Sequence, residues 1–154
     1  MPAIQYREAT EADLPFIARI LADWQTEEYW NKRVSGYYHQ ELHPQKALPP
    51  RVIYVAIASD SIVGFIAGHL TERFGCDGEL QWINVIPEFR KAGLATELLH
   101  LLAKWFVERS AFYICVDPGG EQSRKFYARN GAEKLNEHWM AWHDINAVLK
   151  NKIR

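Results

Sequence analysis

Residues 80–100 constrain this chain more than any other stretch. An apolar-rich run from Leu80 to Ile86 stops at Pro87, turns through Arg90, Lys91, Ala92 and Gly93, and continues as a helical pattern. The run reads as a buried strand, since proline cannot continue a ladder. In the helix, Leu94, Leu98, Leu101, Leu102 and Trp105 share an apolar face, and Glu97, His100, Lys104 and Glu108 share a polar one. A strand feeding a tight turn that opens a helix makes an anion site. The first backbone N–H groups of a helix have no partner within it, and the dipole adds partial positive charge there. Arg90 and Lys91 add full charge, and Gly93 has no Cβ to hold a ligand away. Arg90, Lys91, Ala92, Gly93, Leu94, Ala95 and Thr96 are therefore expected to hold a phosphate-bearing ligand.

The flanking sequence supplies a sheet for this unit. Ile4 to Glu8 alternates as an edge strand, and Thr10 with Asp13 marks the start of a helix over residues 11–23. Trp24, Tyr29, Trp30, Val34, Tyr37, Tyr38 and Leu42 predict one or two aromatic helices, interrupted near Ser35-Gly36. Pro44 and Pro49-Pro50 mark a loop. Residues 51–58 and 62–69 read as a hairpin closed by Asp60-Ser61, with Gly64 and Gly68 as bulges or points of close approach. A turn over 74–78 leads into the strand from Leu80. Residues 111–116 form the next strand, reached by a parallel, right-handed crossover through the helix. A turn over 117–120, a short helix over 121–130 capped by Gly131, and a closing hairpin over 132–145 with Asn136-Glu137 at its tip complete the pattern. The tail from Lys150 to Arg154 reads as frayed.

Length and charge bound the function. A chain of 154 residues is expected to form one domain over 1–154. A formal net charge of −1 argues against general nucleic-acid binding. No apolar run approaches a membrane span and no secretory signal is visible, so the expected location is cytoplasmic. Cys76 and Cys115 lack metal-ligand spacing and read as reduced thiols. His39 and His43, at i and i+4, have no third ligand in view, so no metal is expected.

The segment Arg90-Lys-Ala-Gly-Leu-Ala95 resembles the acyl-coenzyme A loop of the GNAT family of N-acetyltransferases, [Gln/Arg]-x-x-Gly-x-[Gly/Ala]. Its setting matches too: a strand ending in Val-Ile-Pro before it, a long helix after it, and Phe126-Tyr127 with Gly131 further on. The resemblance spans roughly residues 4–145 and implies an α/β (α+β) fold. Its mixed, mostly antiparallel sheet of about seven strands is flanked by about four helices, with a V-shaped splay between strands 4 and 5. It further implies acetyl-coenzyme A as co-substrate, with the backbone of Ile83 and Val85 bonding the pantetheine and acetyl carbonyl in the V. Asn84 and Gln81 are polar groups that could position a water or the acceptor.

The resemblance also assigns catalytic roles. Tyr127 stands where the family's tyrosine protonates the departing thiolate; the alternative is a helix tyrosine packed on the core. Glu79, eleven positions before Arg90, stands where some members carry the general base; the alternative is a solvated charge at a strand end. The family often has Asn seven residues before the tyrosine, and here that residue is Gly120, so Gln122 or Ser123 is expected to contact the pantetheine instead. The implied reaction is acetyl transfer to a primary amine, on a small molecule or a peptide, by direct attack. The alternative is a non-catalytic acyl-coenzyme A sensor or interaction module. Trp139 and Trp142 leave a homodimer open.

Overall fold

The computed structural model describes residues 2–22, 25–41 and 47–150. Seven strands form one sheet in the order β1-β2-β3-β4-β5-β7-β6. They are β1 Ile4–Glu8, β2 Leu48–Ala58, β3 Ser61–Leu70, β4 Gly78–Val85, β5 Ile114–Val116, β6 Glu133–Lys134 and β7 Met140–Trp142. Every neighbouring pair is antiparallel except β4 and β5, which run parallel. The helices are α1 Leu14–Leu21, α2 Glu27–Tyr38, α3 Leu94–Glu108, α4 Glu121–Arg129 and α5 Asn146–Lys150.

Two apolar clusters hold this arrangement. On one face, Leu14, Ile17 and Ala18 of α1 and Trp30, Val34 and Tyr37 of α2 pack on Val55, Phe65 and Ala67. On the other, Leu98, Leu102 and Phe106 of α3, Tyr127 of α4 and Val148 of α5 pack on Ile66, Leu80 and Ile114. α3 lies close enough to the sheet to exclude side chains beneath it. A Cβ on Gly68 would stand 2.7 Å from Leu102 Cδ1, and one on Gly78 would run into the Phe106 ring.

Several elements differ from the sequence expectation. α2 runs unbroken through Ser35-Gly36, because Trp30, Val34 and Tyr37 keep one buried stripe, and that burial outweighs the roughly 1 kcal/mol penalty of a helical glycine. The first helix is shorter: a 3-10 turn, Glu11–Asp13, precedes α1, and the Asp13 carboxylate accepts the Thr10 N–H at 2.7 Å. β2 begins at Leu48 rather than 51, with Pro49 and Pro50 in a register shift where a ladder donor is not needed. The β2–β3 turn is Ser59-Asp60, both left-handed, which suits a two-residue hairpin loop. β4 spans 78–85 rather than 80–86, since the Ile86 N–H makes the last bond to β3.

β5 is only three residues long, because the Asp77 carboxylate draws the Phe112 and Tyr113 N–H groups at 3.1 and 3.0 Å. The closing hairpin shrinks to β6 and β7, since Asn136 Oδ1 accepts the N–H groups of His138 and Trp139. α5 follows it where no helix was expected. α5 packs against α3; His100 is buried where the spacing predicted a polar face, and Leu101 is only half-buried. Trp24, Leu42, His43, Pro44 and residues 151–154 lie outside the described residues.

Gly78→Ala is expected to destabilise the protein by about 1–3 kcal/mol, because a rigid, fully buried ring cannot yield to the added methyl. Urea unfolding of the two proteins at equal slope measures it.

Candidate functional site

The site begins where strand pairing fails. β4 and β5 match at three residue pairs, Gly78 with Ile114, Glu79 with Cys115 and Leu80 with Val116, and pair no further. On its other side β4 stays paired to β3 as far as Val85. The Ile86 N–H donates to Val63 O at 2.9 Å, and these two residues stand opposite each other. Hydrogen-bonded and non-hydrogen-bonded pairs alternate along an antiparallel ladder. Asn84 and Trp82 therefore bond β3 with their main chain, and the peptide groups of Ile83 and Val85 turn toward the gap. An irregularity opposite Ala67 and Gly68 leaves Gln81 without a partner at the apex of the splay.

The basic turn closes one end of this gap. After β4 a short 3-10 turn, Pro87–Phe89, leads through Arg90 and Lys91 to Gly93, the residue that caps α3. Lys91 and Gly93 are both left-handed, with φ of 67° and 87°, so the chain doubles back tightly before the helix. The first bond inside α3 is Glu97 N–H to Gly93 O at 3.1 Å. The amides of residues 93–96 thus have no carbonyl within the helix to bond, as the turn predicted. Arg90 is more constrained than expected. Its Nε donates to Val85 O at 2.8 Å, so it braces the end of β4 while its charge stays at the turn.

α4 supplies the opposite wall. Ile83, Asn84, Val85, Arg90 and Ala95 meet Gln122, Ser123, Phe126 and Tyr127 around a cavity of about 340 Å³. An adjoining cavity of about 490 Å³ shares Val85, Arg90, Ala95 and Gln122 and adds Lys91, Gly93, Thr96 and two residues that sequence reasoning missed, Lys125 and Arg129. Those two fall at i+3 and i+7 from Gln122 on α4, and a helical wheel centred on Gln122 would have found them. Ala92 is exposed on the turn and Leu94 points into the core, so only their backbone can serve a ligand. Phe126 packs against the core and also lines both cavities. Tyr127 lines the inner one and packs edge-on against Trp142, with ring centroids 5.7 Å apart. Burial, with a smaller effect from the Asp117 carboxylate, pushes the Tyr127 phenol well above the ordinary tyrosine range. A Cβ on Gly120 would meet nothing, so space alone does not require glycine there.

Glu79 stands apart from both cavities. It is buried, and its Oε1 accepts a hydrogen bond from Arg73 Nε at 3.0 Å. His69 Nε2 lies 3.5 Å from the same oxygen without hydrogen-bond geometry. The other nitrogen of His69 bonds the Tyr37 hydroxyl at 2.8 Å, which ties this carboxylate to α2. The solvated strand-end charge is excluded by this burial. Among the described residues, no group of three or more His, Cys, Asp or Glu could hold a metal ion, and no helix is long and apolar enough to cross a membrane.

A model of the acetyltransferase (GNAT) family matches residues 15–132. No curated protein matches the chain. Among solved structures it is similar to the PaiA N-acetyltransferase of Thermoplasma acidophilum in complex with coenzyme A, at 16% identity over 91% of this chain and 98% of that one, with a TM-score of 0.64. It is similar to an acetyltransferase of the GNAT family from Staphylococcus aureus Mu50, at 15% identity over 91% and 98%, TM-score 0.69. It is also similar to the aminoglycoside N-acetyltransferase AAC(6')-Iy in complex with CoA, at 18% over 89% and 92%, TM-score 0.70. At such identities the likeness is one of fold, including the parallel β4–β5 pair within a mixed sheet.

Gly93→Ala tests the turn alone. A Cβ there meets nothing within 4 Å, so the whole cost comes from the left-handed backbone. A loss of about 1 kcal/mol is expected in urea unfolding, and less for Gly93→Asn, which tolerates that conformation better.

Proposed function

The chain belongs to the acetyltransferase (GNAT) family, and from that premise we propose that it moves the acetyl group of acetyl-coenzyme A to a primary amine by direct attack. The observation that carries this reading is the free edge of β4, which runs from the basic turn to Tyr127 inside one cleft. Two proteins of similar fold are solved with coenzyme A. In our reading the amides of residues 93–96 bind the diphosphate, with Lys91 beside them. Lys125 and Arg129 supply further positive charge to the phosphates. The peptide groups of Ile83 and Val85 pair with the pantetheine as an added strand would. Val85 O already accepts Arg90, which leaves it one lone pair.

The chemistry then follows from position and proton control. An alkylammonium has a pKa near 10.4, and only its neutral form attacks a thioester. Glu79 is our candidate to take that proton through water, because it lies one residue before β4 and β5 part. The backbone N–H of Ile83 faces the gap and would stabilise the oxyanion. Tyr127 donates to the sulfur as it leaves. Burial suits this role, because a phenol held above its usual range stays protonated wherever the enzyme works.

Incubation with acetyl-coenzyme A and a panel of primary amines is expected to release free thiol only when a competent amine is present. Binding of coenzyme A with no thiol release from any amine would instead identify a binding module. Tyr127→Phe is expected to lower kcat about a hundredfold, the low end for general acids because a thiolate leaves readily. The KM for acetyl-coenzyme A is expected to change little. With the phenol raised by burial, the wild-type rate is expected to rise with pH as the amine deprotonates. No alkaline limb from Tyr127 is expected below about pH 10. A limb near pH 8 that disappears in Tyr127→Phe would contradict the assignment.

A further inference from the structure

Arg73 meets two groups that together have the chemistry of a cation site. Its Nε bonds the buried Glu79 carboxylate at 3.0 Å, and its guanidinium carbon stands 4.7 Å from the centre of the Trp139 ring. The Arg73 and Glu79 side chains are 13% and 7% exposed, so the contact is largely out of water. A carboxylate beside an aromatic face is what a protein uses to hold an alkylammonium or guanidinium ion.

The location fits an acceptor. Glu79 pairs with Cys115 and Cys115 with Ala141, so these three share one face of the sheet, and Trp139 lies two residues before Ala141. Gly78 and Leu80 point the other way, toward α3. Glu79 therefore lies on the face opposite the long helix, one residue from the point where β4 and β5 separate. An amine that reached the splay from that face would pass this carboxylate.

The segment that carries Arg73 is held by unusual means. Phe74 is left-handed at φ 56°, a conformation that disfavours a bulky side chain, and Gly75 follows at φ 76°. The Phe74 ring is 48% exposed and rests edge-on against Trp139, with centroids 5.2 Å apart. The β3–β4 connection thus lies folded across the sheet onto the residue before β7, with a strained residue at its bend.

We propose that Glu79 and Trp139 form the subsite for the cationic head of the acceptor amine, and that Arg73 fills this subsite while no acceptor is bound. The proposal rests on the acetyltransferase reading and names the acceptor as an alkylammonium. An empty subsite would leave the buried Glu79 carboxylate with His69 alone beside it, which is unfavourable for a buried charge. The arginine removes that penalty, and the acceptor must compete with it.

Arg73→Gln keeps a planar polar group but removes the charge. Methylguanidinium and propylammonium chlorides, compared with sodium chloride at equal ionic strength, are expected to raise the Tm of coenzyme-free Arg73→Gln saturably. The wild type should not respond at the same concentrations, and the Arg73→Gln/Glu79→Gln double variant should lose the response. In turnover, the acceptor KM of Arg73→Gln is expected to fall about tenfold. Arg73→Lys, which keeps a charge but loses the stacked plane, should show a smaller fall and serves if Arg73→Gln does not fold. Equal cation responses in wild type and variant, a response that survives in the double variant, or an unchanged acceptor KM would overturn the proposal. Should the wild type bind acetyl-coenzyme A and acetylate no amine, the enzymatic reading fails, and the cation titration still decides the subsite.

Discussion

The rest of this structure depends on one interruption in hydrogen bonding. β4 and β5 share three residue pairs and then separate, although β4 continues for five more residues. Main-chain donors and acceptors inside a protein need partners, and those of Ile83 and Val85 face a cavity. That is an uncomfortable arrangement for a protein that only folds, and a useful one for a protein that binds an extended ligand. Everything around the gap keeps it open. β3 holds β4 rigidly from one side, Arg90 braces the last carbonyl, and α4 stands across the opening without bonding to the strand.

The splay also separates two kinds of chemistry. On the α3 face, the cleft gathers Arg90, Lys91, Lys125 and Arg129 near the helix terminus, and Tyr127 closes its inner end. On the α2 face, Glu79 is set among Arg73, His69 and Tyr37, with Trp139 beyond. A phosphate ligand and an amine would therefore reach the gap from opposite faces and meet only at the splay. Holding two reactants in this way removes most of the entropic cost of their encounter.

Sequence made the turn at the start of α3 legible because its signals are local. Pro87, Gly93 and the 3.6-residue spacing of Leu94, Leu98 and Leu102 act within a few residues, and the strand–turn–helix they predict is present. The opposite side was hidden because its determinants are distant in sequence. Asp77 shortens β5 by bonding amides 35 and 36 positions away. Glu79 was placed by spacing, but its partner Arg73 depends on a left-handed phenylalanine that no propensity favours. His100 read as a polar-face residue because a single helix cannot announce which of its polar positions tertiary packing will bury. The unbroken α2 had the same cause: buried neighbours on β2 and β3 decided it over a local glycine.

Net charge illustrates why local arrangement governs binding here. The chain carries −1 overall, which from composition alone describes no affinity for a polyanion. Four cations nevertheless line one contiguous cleft at the start of α3. Screening confines their field to about 10 Å at ordinary ionic strength, so the acidic residues elsewhere on the surface do not cancel it. Within that range the amides of residues 93–96 add oriented partial positive charge at the start of α3. Tight binding of a small polyanion and indifference to nucleic acid are therefore compatible in one chain. The first needs a few converging donors at a fixed turn, and the second follows from the absence of an extended basic stripe.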